Sequence, residues 1–247
     1  MELAAVLGSP IEHSLSPVLH NAGYAALGMH WHYVKKECTA EQLPAVLDRD
    51  FRGYSVTMPC KFAALEVADT ATDRAREIGS ANTLVRTRHG WHADNTDVDG
   101  VLGAIAELGV SPKTAVLIGG GGTARAVLWA LRSLGCDDIT LMNRSDRGAE
   151  LGVPWVPLGE VPASDIVIST LPGSAAAALD VSAPLFDVSY SPWPPPLIKK
   201  AREKKLPAVA GHVMLAYQAY AQFELFTGEP APQERMRAAL EGHLGLS

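Results

Sequence analysis

Two side chains in this sequence are candidates for proton transfer, Lys61 as an acid/base and Asp97 as its partner. Lys61 closes the run Thr57-Met58-Pro59-Cys60-Lys61. Pro59 and its turn aim the start of a helix, so Lys61 falls in the first turn. A cation there opposes the helix dipole, which suits an acid/base lysine better than a structural one; taken in isolation, Lys61 also reads as a plain surface lysine. Asp97 ends Asp94-Asn95-Thr96-Asp97; its carboxylate either caps the following helix or pairs with Lys61. Ser14 and Ser16 lie in Ile11-Glu12-His13-Ser14-Leu15-Ser16-Pro17, a turn between a strand end and a helix. Ser16 before Pro17 reads as an N-cap and N1 pair. The two hydroxyls either serve that turn and cap, or hold a substrate carboxylate at a positive helix terminus.

A second constellation suits a dinucleotide. The apolar run Ala115 to Ile118 is followed by Gly119, Gly120, Gly121 and Gly122, then by helical composition from Ala124 to Leu134. Strand, glycine turn and helix let backbone N–H groups and a helix N-terminus approach a pyrophosphate. Gly119 permits the sharp turn, and Gly121 or Gly122 leaves room for the phosphates. Small residues at Thr123, Ala124 or Ala126 stand where the usual third glycine packs on the strand. The next apolar run, Ile139 to Met142, ends in Asn143-Arg144-Ser145, with Arg147 close behind. NAD sites usually carry an acid at this tip. A guanidinium pairs with a 2′-phosphate instead, which favours NADP; Asp146 in the same loop tempers that preference.

Composition narrows the class. The chain has 247 residues, 47% hydrophobic, enough for one large or two small domains with a real core. A net charge of −6 without a long basic run argues against nucleic acid. No apolar stretch reaches membrane-spanning length and no signal peptide is visible. Cys38, Cys60 and Cys136 have no zinc spacing and fit reduced thiols in a cytoplasm. The eight histidines are scattered without ligand spacing, so no metal is assigned.

The elements that position these groups alternate. Strands are expected at Leu3 to Leu7, Trp31 to Lys35, Arg52 to Val56 and Ser80 to Val85, with a hairpin turn at Arg88-His89-Gly90 and a return over Trp91 to Ala93. Helices are expected from Pro17 towards Leu27, from a Thr39/Gln42 capping box to about Leu47, over Asp69 to Gly79, and over Val98 to Leu108. The glycine turn starts a second alternating unit. Its later strands, Ile166 to Ser169 and Pro184 to Val188, end in loops carrying Thr170, Leu171 and Tyr190. In an open parallel sheet such loops line the ligand crevice, so these two should flank a nicotinamide. Ala208 to Ala210 is a short last strand. Helices over Met214 to Phe226 and Gln233 to Glu241 follow and should pack back on the first part.

The motifs resemble one family. Gly8-Ser9-Pro10-Ile11-Glu12-His13-Ser14-Leu15-Ser16-Pro17-Val18-Leu19-His20-Asn21 resembles the opening motif of shikimate dehydrogenases. Val56-Thr57-Met58-Pro59-Cys60-Lys61 resembles their lysine motif. Ile78 to Thr83, Asn95-Thr96-Asp97, the Gly119 turn, Asn143-Arg144-Ser145, Asp187 to Pro192 and Met214 to Ala219 resemble the others, in order and over nearly the whole chain. The resemblance implies an α/β fold with two domains, a substrate-binding domain (1–98 plus 213–247) and a Rossmann-type NADP-binding domain (99–212), with a cleft between them. It implies reversible NADPH-dependent reduction of 3-dehydroshikimate to shikimate, in aromatic amino acid biosynthesis. By the same resemblance, Ser14, Ser16, Thr57 and Tyr190 hold the substrate carboxylate; Asn82, Asp97 and Gln218 bind its hydroxyls; Lys61 is the acid/base with Asp97 as partner. The same resemblance implies a cofactor site of Gly119 to Thr123, Ala124, Asn143, Arg144, Ser145, Arg147, Thr170, Leu171, Val188, Gly211 and Met214. A cytoplasmic enzyme is expected, with a homodimer as its candidate assembly. There are departures: Ser55 stands where the lysine motif usually has asparagine, Cys60 replaces a phenylalanine, and Val213 replaces a glycine. Competing readings are a quinate/shikimate dehydrogenase of broader substrate or cofactor range, a folate-linked dehydrogenase, and a regulator that binds NADP without turnover.

Overall fold

A computed structural model describes residues 1–246. The chain forms two compact units, Met1–Asp97 with Gln218–Ser247, and Val98–Tyr217. In chain order the first stretch contains β1 (Glu2–Gly8), α1 (Ser16–Ala26), β2 (Trp31–Glu37), α2 (Leu43–Val46), β3 (Phe51–Val56), α3 (Lys61–Val67), β4 (Thr70–Ala71), α4 (Asp73–Ile78), β5 (Thr83–Thr87), β6 (Gly90–Asp94) and α5 (Asp97–Leu108). There follow β7 (Thr114–Ile118), α6 (Gly122–Ser133), β8 (Asp138–Asn143), α7 (Gly148–Leu151), β9 (Trp155–Pro157), β10 (Ile166–Ser169), α8 (Gly173–Ala176), β11 (Leu185–Asp187), α9 (Pro196–Glu203), β12 (Ala208–Ala210), α10 (Gly211–Thr227) and α11 (Gln233–Leu244). The division between units falls at the start of α5 and inside α10.

The first sheet has the order β2-β1-β3-β5-β6-β4. Its β2, β1 and β3 are parallel, and β5 and β6 return as an antiparallel hairpin. The C-terminal ends of β1, β3 and β6 and the N-terminal end of β5 therefore share one sheet edge. Every candidate residue of the first unit up to Asp97 follows or precedes one of those ends. Under the sheet, Leu7, Tyr54 and Leu84 are fully buried; each such side chain contributes roughly 2 kcal/mol of apolar burial. The late helices pack on this unit through glycines. A Cβ on Gly53 of β3 would stand 2.2 Å from Phe226 of α10, and one on Gly23 of α1 would stand 2.7 Å from Phe223 and 3.1 Å from Met236 of α11.

The second sheet is parallel throughout, in the order β12-β11-β10-β7-β8-β9. Numbered within the unit this is 6-5-4-1-2-3, the doubly wound dinucleotide order, which reverses between β7 and β10. Ligands bind beyond the strand ends at such a switch point, and the glycine turn follows β7 there.

Three local expectations fail. Ser16 is not an N-cap: Leu15 takes that position with no side-chain bond, and Ser16 is the first helical residue. Asp69 to Gly79 is not one helix. Thr70 and Ala71 pair with β6, and Thr72 caps the shorter α4 by accepting from the Ala75 N–H at 3.2 Å. The Thr39/Gln42 box closes only by half, Thr39 N–H to Gln42 Oε1 at 3.0 Å, and α2 begins later, at Leu43.

Candidate active site

Lys61 is the first residue of α3, and its carbonyl accepts from the Ala81 N–H at 2.9 Å, which ties the helix start to the segment before β5. Its Nζ donates to Asp97 Oδ2 at 2.5 Å. The two side chains are 12% and 10% exposed, so water screens the pair weakly. Asp97 opens α5, a position where a carboxylate complements the helix dipole. Its other oxygen accepts from Asn82 Nδ2 at 3.0 Å. Asn82 is itself held: its Oδ1 accepts from the Thr96 N–H at 2.7 Å and from Thr83 Oγ1 at 2.8 Å. The capping and ion-pair alternatives for Asp97 thus resolve into a carboxylate bound by an ammonium and an amide.

Beside this group, Asp94 accepts both guanidinium bonds of Arg74 at 2.7 Å, a hydroxyl bond from Thr72 at 2.7 Å and the Asn95 N–H at 2.7 Å. Burial alone would raise the Asp94 carboxyl, but these donors together hold it below the usual carboxylate range. The clamp anchors the segment that presents Asp97. Nothing in the local pattern around Arg74 announces it, because the partners come from α4 and the end of β6.

At the end of β1, Ser14 Oγ donates to Ser16 Oγ at 3.3 Å, and the Ser16 N–H points to Ser14 Oγ at 3.4 Å. With no capping duty, the Ser16 hydroxyl serves the pair. Thr57 follows β3, and its N–H donates to the Leu7 carbonyl at 2.8 Å. A Cβ on Gly8 would stand 2.4 Å from Thr57 Cγ2, so glycine lets these two strand ends close up. Gln218 is buried on α10, one turn before the buried Gln222 on the same helix face.

In the second unit, Gly119 has φ +96°, and a Cβ there would stand 2.5 Å from Thr170 Oγ1 and 3.1 Å from Leu171. Gly120 lies against the Asn143 and Arg147 side chains. A Cβ on Gly121 or Gly122 would meet nothing within 4 Å. The turn therefore leaves open space at the N-terminus of the twelve-residue α6, where backbone N–H groups favour an anion. Ala124 and Ala126 are fully buried and provide the close packing on the sheet. Arg144 and Ser145 are exposed, and Asn143 Nδ2 donates to the Ser145 carbonyl at 3.0 Å. Arg147 is engaged already, by Glu150 at 2.5 Å and by the Gly120 carbonyl. Its donors brace the turn. Gly211 packs so closely on the Val188 carbonyl that a Cβ would stand 1.8 Å away, and its N–H donates to the Ser189 carbonyl at 3.0 Å. Met214 is buried just beyond. Tyr190 is half-buried, and burial raises its phenol, which keeps the hydroxyl protonated. These features fit a dinucleotide: a glycine cradle at a helix N-terminus, on the switch point, beside the Arg144 guanidinium, which makes no bond among the described residues.

Among the described residues no group of three or more His, Cys, Asp or Glu could hold a metal. No helix there is long and apolar enough to cross a membrane.

Residues 6–84 match the family model for the shikimate dehydrogenase substrate binding domain, and residues 211–241 match that for the shikimate 5'-dehydrogenase C-terminal domain. A shikimate dehydrogenase (NADP(+)) of Synechocystis is 34% identical, over 100% of this chain and 97% of that protein. The crystal structure of the Mycobacterium tuberculosis shikimate dehydrogenase is 43% identical with a TM-score of 0.87, covering 98% of this chain and 100% of the other. The Thermus thermophilus shikimate 5-dehydrogenase, solved in complex with NADP(H) and shikimate, is 30% identical with a TM-score of 0.88, covering 98% and 99%.

Proposed function

This chain belongs to the shikimate dehydrogenase family, and on that premise we propose how its own residues carry the family's reaction. The protein is an NADP-dependent oxidoreductase that reversibly reduces 3-dehydroshikimate to shikimate. The observation that carries this reading is the weakly exposed ion pair of Lys61 and Asp97, at 2.5 Å, on the sheet edge that also presents Asn82 and the serine pair.

Lys61 is the acid/base. In the oxidative direction its amine takes the proton of the substrate hydroxyl; in the reductive direction its ammonium returns it. Asp97 accepts from the ammonium and fixes its direction, so the proton is handled at Lys61 Nζ. Ser14 and Ser16, with Thr57, donate hydroxyl bonds to the substrate carboxylate. Asn82, Asp97 and Gln218 bind the ring hydroxyls, and a site built from such polar groups rejects analogues lacking them. Asn82 cannot rotate freely, since Thr96 and Thr83 hold its oxygen. NADP, when bound, supplies the hydride chemistry that no side chain here offers. Gly119 to Thr123 with Ala124 would hold its pyrophosphate, Asn143, Arg144 and Ser145 its 2′-phosphate end, and Thr170, Leu171, Val188, Gly211 and Met214 the remainder. On this reading residues 1–98 and 213–247 form the substrate domain and 99–212 the NADP domain. The buried free thiols of Cys38, Cys60 and Cys136 suit a cytoplasmic setting.

The test is a spectrophotometric panel of shikimate and quinate, each with NADP and NAD. The expected result is the highest kcat/KM for shikimate with NADP. Binding of NADP without any shikimate-dependent reduction of it would replace this reading with that of a regulator.

A further inference from the structure

We propose that Gln222 is a positioning residue for the acid/base pair, acting with Ser55 to fix the Asn82 amide that holds Asp97. The proposal rests on the functional reading above. Gln222 lies on α10 and is 1% exposed. All of its amide is used. Oε1 accepts from Ser55 Oγ at 2.6 Å, and Nε2 donates to the Asn82 carbonyl at 3.1 Å and to Thr83 Oγ1 at 3.0 Å. Ser55 Oγ in turn accepts from the Tyr33 hydroxyl at 2.5 Å.

These bonds have a direction. Thr83 Oγ1 accepts from Gln222, so its single proton is free for Asn82 Oδ1, 2.8 Å away. That bond and the Thr96 N–H hold the oxygen side of the Asn82 amide. The nitrogen side then faces Asp97 Oδ1, whose companion oxygen meets Lys61. Gln222 thus sets the far end of a chain that runs through Thr83, Asn82 and Asp97 to Nζ of Lys61.

Ser55 explains why a helix residue is needed. Position 55 pairs with Thr83 across the β3–β5 ladder. An amide side chain there would lie beside the Thr83 hydroxyl on its own strand pair. Serine carries a hydroxyl in place of a carboxamide, and Gln222 supplies the amide from α10. An asparagine at position 55 would thus place on the strand pair the amide that Gln222 brings from α10.

The test compares wild type, Gln222→Ala and the double variant Ser55→Asn/Gln222→Ala. The first readout is hydrogen exchange of the Asn82 side-chain amide by NMR in the ligand-free protein. The second is kcat for shikimate oxidation beside KM for NADP. Gln222→Ala is expected to speed the exchange by about tenfold or more and to lower kcat by about tenfold with KM for NADP unchanged. The double variant should return both to within about threefold of wild type, because the two sites are coupled. Wild-type exchange and kcat in Gln222→Ala, or a double variant no better than the single one, overturns the proposal. Gln222→Met keeps the side-chain length without its donors and replaces Gln222→Ala if that variant fails to fold. A wild-type protein inactive on shikimate would overturn the functional reading, while the exchange measurement still decides the positioning role.

Discussion

Gly122→Ala separates the cofactor role of the glycine turn from its structural role. Gly122 is the first residue of α6, and a Cβ there meets nothing within 4 Å. Alanine at a compatible backbone position stabilises by about 0.4–1 kcal/mol, chiefly through the unfolded chain. The free variant should therefore be as stable as wild type or slightly more so. On the proposed reading the same methyl would occupy space that a pyrophosphate needs at the helix N-terminus. Hydrogen bonds to a charged group contribute about 1.5–3 kcal/mol each, so losing one raises the Kd for NADP by about 10- to 150-fold. Gly119→Ala behaves oppositely in the free protein. Its backbone lies at φ +96° and its Cβ would stand 2.5 Å from Thr170 Oγ1, so it loses about 1–3 kcal/mol of stability. Denaturant unfolding of both variants without ligand, with calorimetric titration of NADP, reads the two effects separately. A Gly122→Ala protein that binds NADP within twofold of wild type would refute the cradle.

Three further outcomes are expected. Asp97→Asn leaves the Lys61 ammonium without its counter-charge in a weakly exposed site, which costs about 3 kcal/mol; Lys61→Met/Asp97→Leu should regain stability in denaturant unfolding yet show no turnover, and an Asp97→Asn protein as stable as wild type would count against the pair. Arg144 is exposed and makes no bond among the described residues, so Arg144→Ala should raise KM for NADP by about tenfold and leave KM for NAD alone; equal rises would mean that Arg144 does not read the 2′-phosphate. His20 is buried against Tyr33, with ring centroids 4.3 Å apart, and burial outweighs the nearby Gln222 amide to bring its imidazole down from 6.5 to about 3. Folded His20 stays neutral while the unfolded chain takes up a proton below 6.5, so stability falls as pH drops through the window from 6.5 to about 3. Between pH 7 and pH 5 the loss is about 2 kcal/mol. His20→Phe, which keeps the stack, should flatten that slope in unfolding curves, and an unchanged slope would show that another group titrates.

The parts legible in the sequence are those with local causes. Strand ends marked by glycine or proline, the Gly119 turn and the hairpin at Gly90 all follow from backbone preferences of a few adjacent residues. The placement of Lys61 and Asp97 after strand ends put them on one sheet edge, though it left capping and pairing open for Asp97. Long-range contacts were invisible. Ser55 and Gln222 lie 167 residues apart in sequence, and no spacing rule joins them. The Arg74 clamp on Asp94 has the same character. Other misses came from local signals with two readings. Ser16-Pro17 looks like a cap and first turn, yet Leu15 precedes the helix, which frees the Ser16 hydroxyl for Ser14. Asp69 to Thr72 has helix-compatible composition, but edge pairing with β6 wins and Thr72 becomes the cap.

The central claim is that Lys61 moves the proton and does not merely hold the substrate. Its most direct test pairs two measurements on Lys61→Ala: shikimate-dependent NADPH formation, followed at about 340 nm where reduced nicotinamide absorbs, and the calorimetric Kd for shikimate. General acid/base groups contribute roughly 10²- to 10⁴-fold, so kcat should fall by about a hundredfold or more while Kd stays within about threefold. Binding and rate lost in equal measure would make Lys61 a ligand, and turnover near wild type would remove it from the chemistry.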